Sequence, residues 1–257
     1  MSRVTPSGHG LGWIRDDLDT RDLLFAARPE IALNLPPAVD LRPKMPPVVD
    51  QGQLGSCTGN AWAGAFDYER GRQGLPFITP SRLFIYYNER VIEGTVAADS
   101  GAQIRDGIKT LATQGVCPES EWPYVISQFA VQPPTKDFTD ALGDMVAQYM
   151  SVPLNAQQMM GALAQGLAIV IGFTVYPGYE QVGADGMIPM PRHGEKPLGG
   201  HANVVVGYDT ARQVWITRNS WGTGWGDGGY AYFPMAYLTN PRLANDFWTA
   251  QLVKATT

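Results

Sequence analysis

The hydrophobic pattern of the chain changes once, near residue 166, and this change limits the fold class more than any other feature. Four earlier segments have apolar residues at helical spacing, beginning at Cys57, after the Thr79-Pro80 cap, near Gln103 and at Asn155. Five later segments are short, β-branched and aromatic: LAIVIGFTV, HANVVVGYD, QVWITRNSW, GGYAYFP and DFWTAQLVK. Helices followed by strands predict an α+β fold with a helical lobe and a sheet lobe. A cleft between two such lobes is a common place for a site.

Residues 1–47 are interpreted as an N-terminal arm, in front of a globular domain over residues 48–257. The arm holds five prolines between positions 36 and 47, and prolines at that density favour an extended chain over a helix. Its apolar residues, among them Trp13 and Phe25, indicate that it packs on a surface. Within the domain we expect the helical lobe over about residues 48–145 and the sheet lobe over about residues 146–257.

The composition limits the partners and the compartment. A net charge of -5 gives no electrostatic reason to expect a nucleic acid or an anionic membrane as partner. The longest apolar run, residues 167–176, is far shorter than the ~20 residues that span a bilayer. The N-terminus lacks the apolar core of a secretory signal, and the two cysteines form no CxxC pair for a metal or redox site. We expect a cytoplasmic protein, or one exported without a cleaved signal peptide, with no cofactor and no metal.

Cys57 is a candidate nucleophile because of its position at the predicted start of a helix, after Gly55-Ser56. The partial positive charge of a helix N-terminus favours the thiolate over the thiol. Taken alone, a cysteine in this position is more often an inert core residue. Its assignment therefore depends on a base and an orienting group elsewhere in the chain.

The three histidines differ in their surroundings. His9 lies in the arm and His193 in a Gly/Pro-rich loop, and both are expected on the solvated surface. His201 opens an almost wholly apolar strand in GGHANVVVGYD, so it is either a core histidine bonded to a carbonyl or a base for the Cys57 thiol.

Two amides complete the candidate set. Asn219 ends a predicted strand in TRNSWGTGWGDGGY, where its side chain can accept from one imidazole nitrogen and fix the tautomer of the ring. Trp221 can cover that bond from water. Gln51 precedes Cys57 by six residues and can donate to a developing oxyanion together with the Cys57 backbone N–H. Each residue alone also fits a structural role in a turn, a core or a loop.

Three segments, QGQLGSC, GGHANVVVGYD and RNSWGTGWGDGGY, together resemble the papain-like cysteine peptidases, in the order of that family. The resemblance covers residues 45–235 in outline, and the short arm resembles a bacterial branch. It implies a helical left lobe, a β-barrel-like right lobe and an active-site cleft between them. By motif position it implies that Cys57 is the nucleophile, His201 the base and acid, Asn219 the group that orients His201, and Gln51 an oxyanion donor.

The resemblance also implies residues that bind substrate. Gly101 lies at the position of the family's glycine-bearing loop, which pairs with the substrate backbone. Gly199 and Gly200 border the pocket for the second residue before the cut, and Trp221 lines the cleft beside His201. Because the residues before His201 carry no charge, we expect that pocket to take an apolar side chain.

Two positions depart from the family pattern. Leu54 and Thr58 stand where the family usually has cysteine and tryptophan. The arm is also shorter than most family propeptides, and we expect it to pack across the cleft and limit access to Cys57.

The sequence therefore predicts a cysteine-type endopeptidase that acts on peptides or proteins through an acyl-enzyme thioester. A catalytically silent or self-inhibited papain-like protein that binds a peptide is the first alternative. Another Cys-His amidohydrolase is the second, although the NSWGTGWG segment does not belong to such enzymes.

Overall fold

The long helices come first along the chain, as the hydrophobic pattern predicts. A computed structural model describes residues 3–255. Its helices are α1 (Pro29–Ala32), α2 (Cys57–Arg72), α3 (Arg82–Glu93), α4 (Ile104–Thr113), α5 (Thr135–Ala141), α6 (Ala156–Ala164), α7 (Pro177–Glu180) and α8 (Met235–Leu238), with 3₁₀ turns at Arg42–Lys44 and Ile126–Gln128. The four predicted helices are α2, α3, α4 and α6.

The ends of these helices have local causes. Ser81, and not Thr79, caps α3, because its hydroxyl accepts from the Phe84 N–H at 3.1 Å while Thr79 lies outside the helix with φ 49°. Gly94 ends α3 in the left-handed region at φ 70°. The Asn155 side chain accepts from the first N–H groups of α6, as the sequence pattern predicts.

The strands form one large sheet and two small pairs. They are β1 (Arg3–Val4), β2 (Gly10–Leu11), β3 (Trp13–Ile14), β4 (Ala38–Asp40), β5 (Ala102–Gln103), β6 (Asp144–Ser151), β7 (Ile169–Val175), β8 (Gly199–Asp209), β9 (Val214–Arg218), β10 (Tyr230–Pro234) and β11 (Ala244–Ala255). The sheet has the order β10-β9-β8-β7-β11-β6, with β4 on β8, and all its pairings are antiparallel. Over residues 3–255 no pairing joins β10 to β6, so the α+β class is confirmed but the sheet lobe is not a closed barrel.

Helix α2 lies against strand β8, and this contact positions the candidate site. Both elements are buried along most of their length, with valines 204–206 of β8 and the aromatic residues of α2 in the core. The site residues Cys57 and His201 stand at the starts of these two elements. The boundary between the lobes stays a prediction; β6 begins at Asp144, close to it.

The N-terminal arm is packed on the domain along most of its length. Strand β3 pairs in parallel with β5, and β4 pairs with β8. Between β3 and β4 along the chain, Phe25 is buried and its N–H donates to the Ser151 carbonyl at 2.7 Å. Among the helices of residues 3–255, none has the length and hydropathy to cross a membrane.

Candidate active site

Cys57 is the first residue of α2, and its side chain is completely buried. Burial raises the pKa of its thiol to about 12, against the opposing effect of backbone N–H groups of Gly12, Ala202 and Thr58 on the sulfur. Ala202 follows His201 in β8, so the starts of α2 and β8 meet at the sulfur. Gly12 belongs to the arm, so the arm reaches the sulfur as well.

His201 is buried and bonded to Asn219. The distance between His201 Nε2 and Asn219 Oδ1 is 2.8 Å. The same oxygen accepts from the Ser220 N–H at 2.8 Å, which fixes the amide orientation. Because a carbonyl oxygen only accepts, Nε2 carries the proton, and Nδ1 of the neutral ring is the basic nitrogen. Nδ1 is buried and has no hydrogen-bond partner within residues 3–255, so it is available for proton transfer.

The electrostatics of His201 follow from its burial. Burial lowers the pKa of the imidazole to about 4, although the bond to Asn219 favours the charged form. A thiol pKa near 12 beside an imidazole pKa near 4 means that both groups are neutral at physiological pH. The arrangement is therefore a neutral pair as long as the arm covers it.

Aromatic rings surround the His201–Asn219 bond. The Trp221 ring centroid lies 5.0 Å from that of His201, and Trp221 is buried. Phe173 and Tyr179 also pack on the imidazole, at 5.7 and 5.8 Å between centroids. Excluding water in this way strengthens the bond. The sequence pattern indicated Trp221; it did not indicate Tyr179, which lies in the short helix α7 and carries no local signature.

Gln51 is buried with its side-chain amide fixed at both ends. Its Oε1 accepts from the Ser220 hydroxyl at 2.6 Å. Its Nε2 donates to the Leu54 carbonyl at 2.9 Å and to the arm's Gly10 carbonyl at 3.1 Å. An arm carbonyl thus occupies the N–H donor that the sequence assigned to an oxyanion.

Arm residues 9–14 run through the site. The Gly12 carbonyl accepts from the Ala102 N–H at 2.8 Å, on the strand that follows Gly101. The imidazole of His9 stacks on Trp221 with 4.5 Å between centroids and 11° between planes. His9 is therefore half-buried on this indole and not the fully solvated side chain that we predicted, whereas His193 is exposed as expected. The arm pattern alone gave no sign of this stack, because its partner is more than 200 residues away.

Glycines allow the arm to lie this close. A Cβ at Gly10 would overlap the Leu54 carbonyl, and one at Gly12 would overlap the Gly55 carbonyl. On the opposite side, a Cβ at Gly101 would overlap the Gly12 carbonyl, and Gly101 itself has φ 78°. The arm therefore lies between backbone segments at positions that only glycine can occupy.

The predicted substrate-binding glycines of β8 also face the arm. A Cβ at Gly199 would lie 2.9 Å from Leu11 Cδ1, and one at Gly200 would lie 2.8 Å from the Trp13 ring. Together with Gly101 and Trp221 they border one channel that residues 9–14 fill. Their contact with substrate stays a prediction.

Comparison with known proteins decides the family. The sequence model described as "Papain family cysteine protease" matches residues 35–246, which is most of the chain.

The chain belongs to the papain family of cysteine proteases.

Individual papain-family relatives agree with this membership. Xylellain, a cysteine protease from Xylella fastidiosa, is 40% identical with a TM-score of 0.91, covering 99% of this chain and 98% of that one. An uncharacterized peptidase C1-like protein of Acanthamoeba polyphaga mimivirus is 36% identical over 94% of this chain and 86% of its own length. Peptidase 1 of Dermatophagoides pteronyssinus is 31% identical over 78% of this chain. The matched region covers only 61% of the length of the mite protein.

The papain-like fold and the cysteine peptidase class predicted from the sequence are thereby confirmed. Likeness to the Xylella enzyme supports the predicted bacterial branch. The chain is a cysteine peptidase of the papain family.

Proposed function

We propose that the chain is an endopeptidase in which Cys57 attacks the substrate carbonyl carbon. His201 Nδ1 takes the thiol proton and later gives it to the leaving amine. Gln51 Nε2 and the Cys57 N–H hold the oxyanion, and water activated by His201 then hydrolyses the thioester. One observation carries the assignment. The bond between Asn219 and His201 Nε2 leaves Nδ1 as the basic nitrogen of the imidazole. This imidazole lies at the start of β8, where β8 meets the Cys57 sulfur.

We also propose that the arm keeps this enzyme latent. The Gly10 carbonyl occupies the Gln51 donor, and the Gly12 N–H faces the sulfur. The cover removes water from the site, and the resulting burial keeps thiol and imidazole neutral. Catalysis needs the thiolate and the imidazolium, so the covered site is inactive on two counts.

The self-inhibited alternative from the sequence is part of this proposal, as one state of the same enzyme. Its natural partners are peptides or proteins as substrates, and the arm as an occupant of the cleft. Both cysteines are free and buried, which agrees with a reducing compartment. The cytoplasm, or export without a cleaved signal, stays the prediction for its destination.

Displacing the arm by one substitution tests both proposals. In Gly12→Ala the new methyl overlaps the Gly55 backbone, which cannot move aside easily. We expect hydrolysis of a peptide blocked at both ends, and alkylation of Cys57 by iodoacetamide, to rise at least about ten-fold, since each ~1.4 kcal/mol of lost arm docking is a factor of ten. Cleavage within a doubly blocked peptide also identifies an endopeptidase.

Two variants control the experiment. Gly224→Ala adds a methyl where nothing lies within 4 Å, so its rates should equal those of the unmodified chain. Cys57→Ala in the Gly12→Ala background should abolish turnover and keep the thermal unfolding transition. Turnover without Cys57 would refute the proposed nucleophile, and equal rates for Gly12→Ala and the unmodified chain would refute latency.

A further inference from the structure

A carboxylate joins the turn that precedes Cys57 to the loop that carries Gly101. Asp99 accepts from the Gly55 N–H through both of its oxygens, at 3.1 Å to Oδ1 and 3.2 Å to Oδ2. Gly55 belongs to residues 51–56, which we call the nucleophile turn, and Asp99 belongs to residues 95–101, which we call the Gly101 loop. One side chain therefore connects the segment before the candidate nucleophile with the segment predicted to pair with the substrate backbone.

A buried phenol of α3 extends this connection to the backbone of Gly101. The Tyr86 hydroxyl donates to Asp99 Oδ1 at 2.5 Å and accepts from the Gly101 N–H at 3.0 Å. Burial, and then the charge of Asp99, raise the pKa of Tyr86, so its hydroxyl stays protonated and keeps donating. The Arg90 guanidinium lies 4.0 Å from the centroid of the Tyr86 ring and donates to the Ala98 carbonyl at 3.2 Å. Both the phenol and the Gly101 loop are thus fixed to α3.

The backbones of Gly55 and Gly101 are two walls of the channel that the arm fills. Gly12 of the arm lies between them, since a Cβ at Gly12 would overlap the Gly55 carbonyl and one at Gly101 would overlap the Gly12 carbonyl. Asp99 bonds directly to the first wall, and through Tyr86 to the second. The bridge therefore sets the width of the channel next to Cys57.

Hydrogen bonds hold this width, because the described residues contain no covalent link between the two walls. Cys57 and Cys117 are both free, and Leu54, beside Gly55, stands where the family usually has cysteine. Hydrogen bonds to a carboxylate are stronger than those between neutral groups. Asp99 is half-buried, so its bonds are partly shielded from water.

We propose that Asp99 is a positioning residue that sets the distance between the nucleophile turn and the Gly101 loop. The inference rests on the proposed peptidase function and adds a residue to the same site. A substrate bonded to the oxyanion donors and to the Gly101 backbone is aligned with the Cys57 sulfur only at one spacing of the two walls. A misplacement of about 1 Å can cost on the order of 10²-fold in rate. Asp99 acts through Gly55 and Gly101 and is not itself a reacting group.

Three substitutions in the Gly12→Ala background test this role. Asp99→Ala removes the acceptor, and it should lower kcat on a doubly blocked peptide by about 10- to 10²-fold. Asp99→Asn keeps an oxygen that can accept from both donors, so it should restore most of the lost kcat. Tyr86→Phe keeps the ring and the bond between Gly55 and Asp99 but releases the Gly101 N–H, so it should raise KM more than it lowers kcat.

Asp67 supplies the matched control. It is a buried carboxylate of α2 that accepts from the Ile78 and Thr79 N–H groups, at 2.9 and 3.3 Å, and none of these residues borders the channel. Asp67→Ala should lower the thermal unfolding transition at least as much as Asp99→Ala does, and it should keep kcat and KM.

Three results would each overturn positioning by Asp99. They are an unchanged kcat in Asp99→Ala, an equal loss of kcat in Asp67→Ala, and an Asp99→Asn variant as slow as Asp99→Ala. If Asp99→Ala does not fold, Tyr86→Phe still decides the matter, because an unchanged KM in that variant would overturn the bridge to Gly101.

Amide hydrogen exchange separates this inference from the proposed function, since it needs no turnover. In the Gly12→Ala background, Asp99→Ala should make the amides of both Gly55 and Gly101 exchange faster, whereas Asp67→Ala should leave both rates unchanged. Unchanged exchange at either glycine in Asp99→Ala would overturn the role of Asp99, whether or not the chain cleaves peptides. Faster exchange at both glycines, together with no turnover by Gly12→Ala itself, would overturn only the proposed catalysis.

Discussion

Gln51 Nε2 donates to the Gly10 carbonyl at 3.1 Å, so one amide of the candidate site is bonded to the chain's own arm. In the proposed mechanism the same Nε2 donates to the oxyanion of the substrate. Arm and substrate would then compete for one donor, and variants of Gln51 should affect both.

Removing this donor should separate oxyanion binding from thiol reactivity. In Gln51→Ala, made in the Gly12→Ala background, we expect kcat to fall by about 10²- to 10³-fold, the usual loss for one oxyanion donor. Alkylation of Cys57 by iodoacetamide forms no oxyanion and should change little. An equal loss in both assays would contradict the role of Gln51 as an oxyanion donor. The thermal unfolding transition of the variant shows whether the contact between Gln51 and Ser220 supports folding.

Asn219 should affect the pH profile as well as the rate. Its bond to His201 raises the pKa of the imidazole against the effect of burial, so Asn219→Ala lowers that pKa. The thiolate–imidazolium pair is lost as pH rises through the imidazole pKa, so the alkaline limb should move to lower pH. In the Gly12→Ala background we expect kcat/KM to fall about 10²-fold, within the range of acid–base contributions. An alkaline limb that stays in place would count against an orienting role.

The arm should dock on the domain more tightly at acidic pH. Burial, and then the nearby Asp246, raise the pKa of Asp16 to about 7, while donors from Trp248 and Arg105 and the Arg105 charge oppose them. In a displaced arm Asp16 regains its ordinary pKa near 3.8. Docking therefore takes up protons, and it strengthens as pH falls from about 7 toward about 4.

The measurement for this prediction is the ratio of Cys57 alkylation rates between Gly12→Ala and the unmodified chain. The reference variant cancels the pH dependence of the thiolate itself. The ratio should grow from pH 8 to pH 5, and Asp16→Asn should flatten it. Two other acidic residues of the arm, Asp19 and Asp22, contact Arg105 at 4.0 and 3.1 Å. Asp22→Asn is therefore the matched control, and it should change the pH dependence of the ratio less than Asp16→Asn does. A ratio that shrinks toward acid would contradict the prediction.

Thr58, one of the two positions that depart from the family pattern, is hydrogen-bonded to a buried carboxyl group. Thr58 Oγ1 donates to Glu89 Oε2 at 2.7 Å, and both side chains are completely buried. Thr58→Val keeps the shape and removes the donor, so the free energy of unfolding should fall by about 1–3 kcal/mol, the cost of an unsatisfied buried polar group. Urea unfolding at pH 7 measures the change, and an unchanged midpoint would contradict it.

Glu89 itself should make stability depend on pH. Burial raises its pKa well above the ordinary value of 4.5, so the folded chain favours the protonated carboxyl. Stability from this group is complete below pH 4.5 and is lost as pH rises above it. Glu89→Gln cannot ionise, so its free energy of unfolding relative to the unmodified chain should be larger at pH 8 than at pH 5. An equal difference at both values would contradict the titration of Glu89.

The sequence identified what has a local signature. Cys57 at a helix start, His201 at the mouth of an apolar strand and Asn219 in a glycine- and tryptophan-rich turn are each readable from a dozen neighbouring residues. The structure brings these segments to one place. The helices were predictable for the same reason, since their apolar spacing and caps are local.

The rest depends on contacts between distant parts of the chain. Strand β6 has the sequence DMVAQYMS, with few β-branched residues, and it forms because β11 pairs with it. His9 is polar and lies in an arm, so only the position of Trp221 reveals its stack. Asp246 contacts Trp13 across more than 200 residues, and no local pattern predicts that bond.

The attachment of the arm has a consequence for how latency responds to dilution. Phe25 and strand β4 fix the chain on the domain on the C-terminal side of residues 9–14. The arm's local concentration at its own cleft is therefore set by a short tether, on the order of millimolar for flexible linkers, and not by the amount of protein present. Under the proposed latency each molecule should close its own site at any dilution, and a free peptide with the sequence of residues 9–14 would have to approach that concentration to do the same.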